Sequence, residues 1–197
     1  AGDGTLSLHA STAAGGSGLL RLGDGHVAAN GAQQLALQAD TAVVLAGEGR
    51  LASPGTMDLV APVVVAGQAA AEHSLVAGGA LTLSGSAGAT PAPLSADGAV
   101  LSLQAETVAL QGRVQLPSGT LHAGADGDLV LGASAQVDVS GRAVVMDGST
   151  VNLAGGVVDL RSATGSVLLQ AGSTVDVSAA GTAAGGRIVL SAPSGTV

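Results

Sequence analysis

LSLQA at residues 101–105 is one copy of a phrase, apolar-x-apolar-x-Ala/Gly, that recurs along the whole chain. The others are LSLHA (6–10), LALQA (35–39), MDLVA (57–61), LTLSG (81–85), LVLGA (129–133), VNLAG (151–155), VLLQA (167–171) and IVLSA (188–192). First positions are separated by 29, 22, 24, 20, 28, 22, 16 and 21 residues, a mean near 23. Three copies, at 35, 101 and 167, stand 66 residues apart each time, three periods of 22. Alternation with period two predicts strands, because successive side chains of a strand face opposite ways. Leucines at i and i+2 would sit roughly 200° apart on a helix and could not share a buried face. The 32 glycines further disfavour helix, each costing about 1 kcal/mol relative to alanine.

Shorter apolar pairs fill the gaps, among them Val43/Leu45, Val63/Val65, Val108/Leu110, Val137/Val139, Val158/Leu160 and Val175/Val177. From Leu121 such pairs start at 121, 129, 137, 144, 151, 158, 167 and 175, in steps of 7 to 9. Three steps make one period. Three short strands per repeat of about 22 residues predict an all-β fold, a single right-handed parallel β-helix of triangular section. Eight or nine coils at the ~4.8 Å spacing of paired strands would form a rod roughly 40 Å long.

The repeat runs through residues 1–197 without a break in composition, so one continuous solenoid is expected. Phe, Tyr and Trp are absent, which suits a narrow prism filled by Leu, Val and Ala in files. Each buried Leu or Val contributes about 1.5–3 kcal/mol. Insertions leaving the prism are expected near 11–18 and near 84–96, where Gly, Ser and two prolines interrupt the alternation. The stretch 179–186 reads as a third connection.

Net charge is −8 with no lysine, and the six arginines (Arg21, Arg50, Arg113, Arg142, Arg161, Arg187) are scattered singly. Without a basic face or stacking aromatics, no nucleic-acid partner is expected. No basic cluster suits an anionic membrane surface. No segment reads as a signal peptide or a membrane span, so no membrane insertion is expected; the run 73–96 is too rich in Gly, Ser, Thr and Pro. The opening without Met and the strong strand phrase near Val197 predict an excerpt of a longer protein.

Motifs for chemistry are scarce. A P-loop needs a lysine and a nucleophile elbow needs G-x-S-x-G; neither occurs. GGSGL at 15–19 lacks the aspartate of the calcium-binding β-roll repeat, since Leu20 follows. His9, His26, His73 and His122 share no ligand spacing and read as isolated surface or turn residues. Asp126 and Asp128 read as a turn rather than a calcium site. Asp24 and His26 in D-G-H faintly resemble the histidine segment of galacturonases, but paired aspartates and a basic partner are missing. The phrase centres Ser7, Ala36, Asp58, Thr82, Ser102, Val130, Asn152, Leu168 and Val189 form no threonine array for ice. Asp138, Asp159 and Asp176 point outward between apolar neighbours, as solvated charges that discourage lateral aggregation. No catalytic, cofactor-binding or metal-ligating residue is assigned.

The stretch VDVSAAGTAAGGRIVLSAPSGTV (175–197), with VDVSGR (137–142) and GSVLLQAG (165–172), resembles the repeats of filamentous haemagglutinin-like exoproteins. The resemblance implies export of a very large β-helical protein across a Gram-negative outer membrane by the two-partner secretion route. An outer-membrane transporter would be its partner. Display at the cell surface or secretion as an adhesin, facing a host surface receptor, would follow. The family's secretion domain carries an N-P-N-G motif; only Asn30 and Asn152 are present, so this piece would be shaft. The expected function is therefore a non-catalytic structural shaft. An adhesive module contacting a host protein or glycan is the second reading and a β-helical polysaccharide-cleaving enzyme the third.

Overall fold

A computed structural model describes residues 4–86 and 96–197. The chain winds as a parallel β-helix of seven coils. Coil one contains β1 (Gly4–Ala10), β2 (Leu19–Leu22) and β3 (Gly25–Ala28); coil two β4 (Ala32–Ala39), β5 (Ala42–Leu45) and β6 (Glu48–Ser53); coil three β7 (Thr56–Val60), β8 (Val64–Ala66) and β9 (Glu72–Ala77). Coil four has β10 (Ala80–Ser84) and β11 (Val100–Ala105), and coil five β12 (Thr107–Gln111), β13 (Arg113–Gln115) and β14 (Thr120–Ala125). Coil six begins with β15 (Leu129–Leu131) and β16 (Gln136–Asp138), is interrupted by β17 (Ala143–Met146) and β18 (Ser149–Asn152), and ends with β19 (Val157–Ser162). Coil seven holds β20 (Val167–Leu169), β21 (Thr174–Asp176) and β22 (Arg187–Ser191).

Like strands of successive coils pair in parallel into three walls. Wall 1 runs β1-β4-β7-β10-β12-β15-β20, wall 2 runs β2-β5-β8-β13-β16-β21, and wall 3 runs β3-β6-β9-β11-β14-β19-β22. The register stacks inward side chains in files. Wall 1 aligns Leu6, Leu35, Met57, Leu81, Val108, Leu129 and Val167. Wall 3 aligns Val27, Leu51, Leu75, Leu103, Ala123, Leu160 and Leu190. In mid-rod these residues are sealed, Leu75, Leu81 and Leu103 each at 1% exposure. A one-residue slip would turn every leucine outward, so burial on one face locks the register.

Several expectations are corrected. Only six of the nine phrases lie on wall 1; LSLQA (101–105) and IVLSA (188–192) belong to wall 3, and Val108/Leu110 takes the wall 1 slot of coil five. The equal 66-residue spacings therefore join positions on different walls. VNLAG (151–155) and the pair at 144 are not coil strands: β17 and β18 form an antiparallel hairpin, Val144 opposite Val151. Its turn is Asp147-Gly148, both at positive φ (50° and 75°), the type I′ chemistry that matches strand twist. With those ten residues outside the prism, seven coils remain instead of eight or nine, giving a rod of roughly 30–35 Å.

The loop 11–18 does leave wall 1, with one 3₁₀ turn at Ala13–Gly15, and Asp40 of coil two pins it. The Asp40 carboxylate accepts from the Thr12 amide (2.9 Å) and contacts His9 Nε2 (2.7 Å). The second expected insertion falls mostly on residues 87–95, outside the described residues; there β8 of coil three pairs directly with β13 of coil five. On wall 2, Ala42, Val44, Val63 and Val65 form a second apolar cluster on the outward side, each at most 3% exposed. Their uninterrupted apolar runs suit strands buried on both faces.

Candidate functional site: the outer face of wall 3

The same register that stacks leucines inside aligns polar residues outside. His26, Arg50, Ser74, Ser102, His122, Asp159 and Val189 form one outward file of wall 3. Ala28, Ala52, Val76, Gln104, Gly124, Arg161 and Ser191 form the next. Three shallow depressions of about 340, 570 and 540 Å³ follow these files. The first two share Glu72, Ser74 and Ser102; the second and third share Gln104, Gly124 and Arg161. Together they make one channel along the rod, floored by small residues. A side chain added at Gly124 would meet nothing closer than 3.9 Å.

Charge concentrates at its middle. Asp159, 8% exposed, accepts a fork from Arg161, Nε to Oδ1 and an NH2 to Oδ2, both 2.7 Å. His122 Nδ1 stands 3.7 Å from Asp159 Oδ2. The Arg161 hydrogen bonds hold the Asp159 carboxyl below the usual carboxylate range against the opposing effect of burial, and the charges of Arg161, His122 and Arg187 add to this. The same pair raises the Arg161 guanidinium further. A bidentate Arg–carboxylate pair with an imidazole at its edge can donate to and accept from hydroxyl groups.

Other singled-out residues have structural partners. Asp24 Oδ1 accepts from the Glu48 amide at 2.8 Å, binding coil one to coil two, while His26 lies exposed at the mouth of the channel. Asp128 Oδ1 accepts from the Ser166 amide at 2.8 Å, and the Asp126 carbonyl accepts from Thr164 Oγ1 at 2.7 Å, so this pair joins coils as a turn. Asp138 and Asp176 stack on wall 2, where each carboxylate accepts from the amide two residues on, Ser140 (3.0 Å) and Ser178 (2.8 Å). Asp159 lies on wall 3, so the three aspartates line no common strip. Among the described residues no group of three or more His, Asp or Glu is arranged for a metal ion, and no helix is long and apolar enough to cross a membrane.

His73 corrects the reading of the histidines as surface or turn residues. It is 2% exposed and points into the prism on β9, in file with Gly25 and Gly49 on one side and Leu101 on the other. Its Nε2 lies 3.4 Å from the Ala46 carbonyl. Burial lowers its pKa, opposed by that carbonyl and by Asp24.

Sequence reasoning missed the joining of His122 to Asp159, which are 37 residues apart with the hairpin between them. The signal lies in the phrases: LHA (121–123) and VDL (158–160) carry these residues in the same central slot. By fold the chain is a parallel β-helix. No family model, curated protein or solved structure matches it.

Proposed function

We propose that this chain is a structural shaft of a large secreted, adhesin-like exoprotein of a Gram-negative bacterium, exported by the two-partner route and non-catalytic. The observation that supports this most is the continuous ladder. Among the described residues, two walls of seven strands and one of six run in parallel register along the rod, with the β17–β18 hairpin set outside them. Corners are tied coil to coil by side chains such as Asp24, Asp128, Ser134 (Oγ to Gln111 O, 2.6 Å) and Ser162 (Oγ to Gly127 O, 2.7 Å). Each coil stacks chiefly on the coil before it, so new coils can template on finished ones during export, with no need for ATP outside the cell. The partners in this reading are an outer-membrane transporter and, for the parent protein, a host surface receptor.

The test is to express the parent gene with and without the outer-membrane transporter encoded nearest to it. Intact cells are then probed with an antibody against the exposed hairpin 143–152. Surface or medium signal that depends on the transporter is expected; retention inside the cell in both strains overturns the export route.

A second reading, an adhesive binding module, is favoured by the wall 3 channel. A glycan-array and matrix-protein screen separates the two, because a shaft binds nothing there. Binding lost in Gly124→Leu, whose Cβ fits without a clash (nearest atom 3.9 Å) and whose side chain would fill the channel, would make the chain a module instead.

A further inference from the structure

The charges along the wall 3 channel form a plan that is its own complement. Beside the two outward files of this wall runs a third, Glu48, Glu72, Val100, Thr120, Val157 and Arg187. Acid stands at one end of it and base at the other. Across the three files the carboxylates of Glu48, Glu72 and Asp159 cancel the guanidiniums of Arg50, Arg161 and Arg187. The formal charge of −8 therefore resides on the rest of the chain, and this face is where a second copy meets least repulsion.

Turning a second copy end over end, about an axis that lies along the strands between coils four and five, keeps each file facing itself. Coil two then meets seven, three meets six and four meets five. Glu48 comes opposite Arg187, with Glu72 one rung away, and Arg50 comes within one rung of Asp159, which faces Ser74. Long side chains fall over short ones. His122 faces Ser102, and Gln104 faces Gly124, where an added Cβ would meet nothing closer than 3.9 Å. The two-fold axis makes every one of these contacts twice.

Rods that point the same way fit badly. Turned about the rod's own direction, the central file sets His26, Arg50, His122 and Asp159 each against its own copy, like charge on like. The face is also large enough for a weak contact. Six coils at the ~4.8 Å rung spacing and strands of six residues give a footprint of roughly 29 by 20 Å. Two such faces bury on the order of 1,000 Å², the lower bound for a specific interface.

We propose that two copies of this chain pair side by side and antiparallel through the wall 3 channel, each filling the other's depressions. The contact is isologous and closes at a dimer. It lies on the flank of the rod, uses no strand edge, and is independent of the export route.

The experiment is sedimentation of the 197-residue chain over a concentration series. A monomer–dimer equilibrium between 18.4 kDa and twice that mass is expected, weakening as salt rises. Arg187→Glu and Glu48→Arg, both at exposed side chains, should each raise the dissociation constant roughly 10-fold, since symmetry doubles the loss of a surface pair and sets like charges in its place. Combined, the two changes should bring the constant back to within about 3-fold of the parent's, because these positions face each other only in the antiparallel pair. Gly124→Gln closes the seat of the partner's Gln104 without altering charge and should weaken pairing at least as much. Far-UV circular dichroism verifies that each variant is folded; if a charge variant is not, Gly124→Gln decides. A chain that stays at 18.4 kDa, growth past the dimer, a combined variant no better than its parts, or pairing indifferent to Gly124→Gln overturns the proposal. A monomer that instead binds a glycan or a matrix protein also overturns it and gives the channel to that ligand.

Discussion

Truncating one leucine at two places in the prism tests whether the files carry the stability. Leu103 sits mid-rod at 1% exposure, between Leu75 and Ala123 in the wall 3 file; Leu8 sits on the terminal coil at 46%. Leu103→Ala removes the transfer free energy of a fully buried side chain and leaves a gap. The neighbouring Ala123 has no side chain long enough to swing into it. A cost of about 3–4 kcal/mol follows, within the range for leucines in rigid cores. Leu8→Ala exposes roughly half as much new apolar loss and leaves no closed cavity, so about 1–1.5 kcal/mol is expected. Guanidinium unfolding followed by far-UV circular dichroism is the assay, since the chain has no Trp, Tyr or Phe to report by fluorescence. Each variant's slope must match the parent's for the costs to be compared. Equal costs at the two positions, or less than about 1 kcal/mol at Leu103, would refute the stacked-file account of stability.

Gly156→Ala should destabilise the fold by more than about 2 kcal/mol, because its Cβ would collide with the Gly119 backbone, whereas at Gly124 an added Cβ makes only ordinary contacts, 3.9 Å or more, and Gly124→Ala should leave the unfolding midpoint nearly unchanged. Acidification should weaken the protein in two windows. Buried His73 has a lowered pKa, so the unfolded chain binds the extra proton and stability falls as pH drops below about 6.5; His73→Leu, matching Leu101 in the file, should flatten that window in pH-dependent melting curves. Asp40, held down to about 2 by His9 and Thr12, Asp159, lowered chiefly by Arg161, and Asp176, lowered by the Ser178 amide, give a further loss as pH falls below their ordinary value of 3.8. Replacing residues 144–151 by two glycines should keep the far-UV spectrum of a β-helix and shift the melting temperature by only a few degrees, because β17 and β18 pair with each other and with none of the three walls.

The strand type, the parallel coil and the three-wall section were legible because period-two leucines admit no buried helix face and recur at a coil's length. Wall assignment was less legible. LSLHA on wall 1 and LSLQA on wall 3 share nearly the same letters, since an inward aliphatic slot is alike on every wall and only the corner lengths distinguish them. The hairpin also escaped, because Val144 and Val151 satisfy the same spacing as coil strands; Asp147-Gly148 was its signal.

His73 was misread because its neighbours give no warning: the room for its ring comes from Gly49, 24 residues earlier. The Arg161–Asp159–His122 cluster has the same origin. Local alternation by itself determined that this chain builds aliphatic-lined strands, because inward or outward is settled by parity along each strand. Which residues become neighbours across coils was decided only by the tertiary structure, because stacking depends on the lengths of the corners and insertions between strands, and those sum over the whole path of each turn.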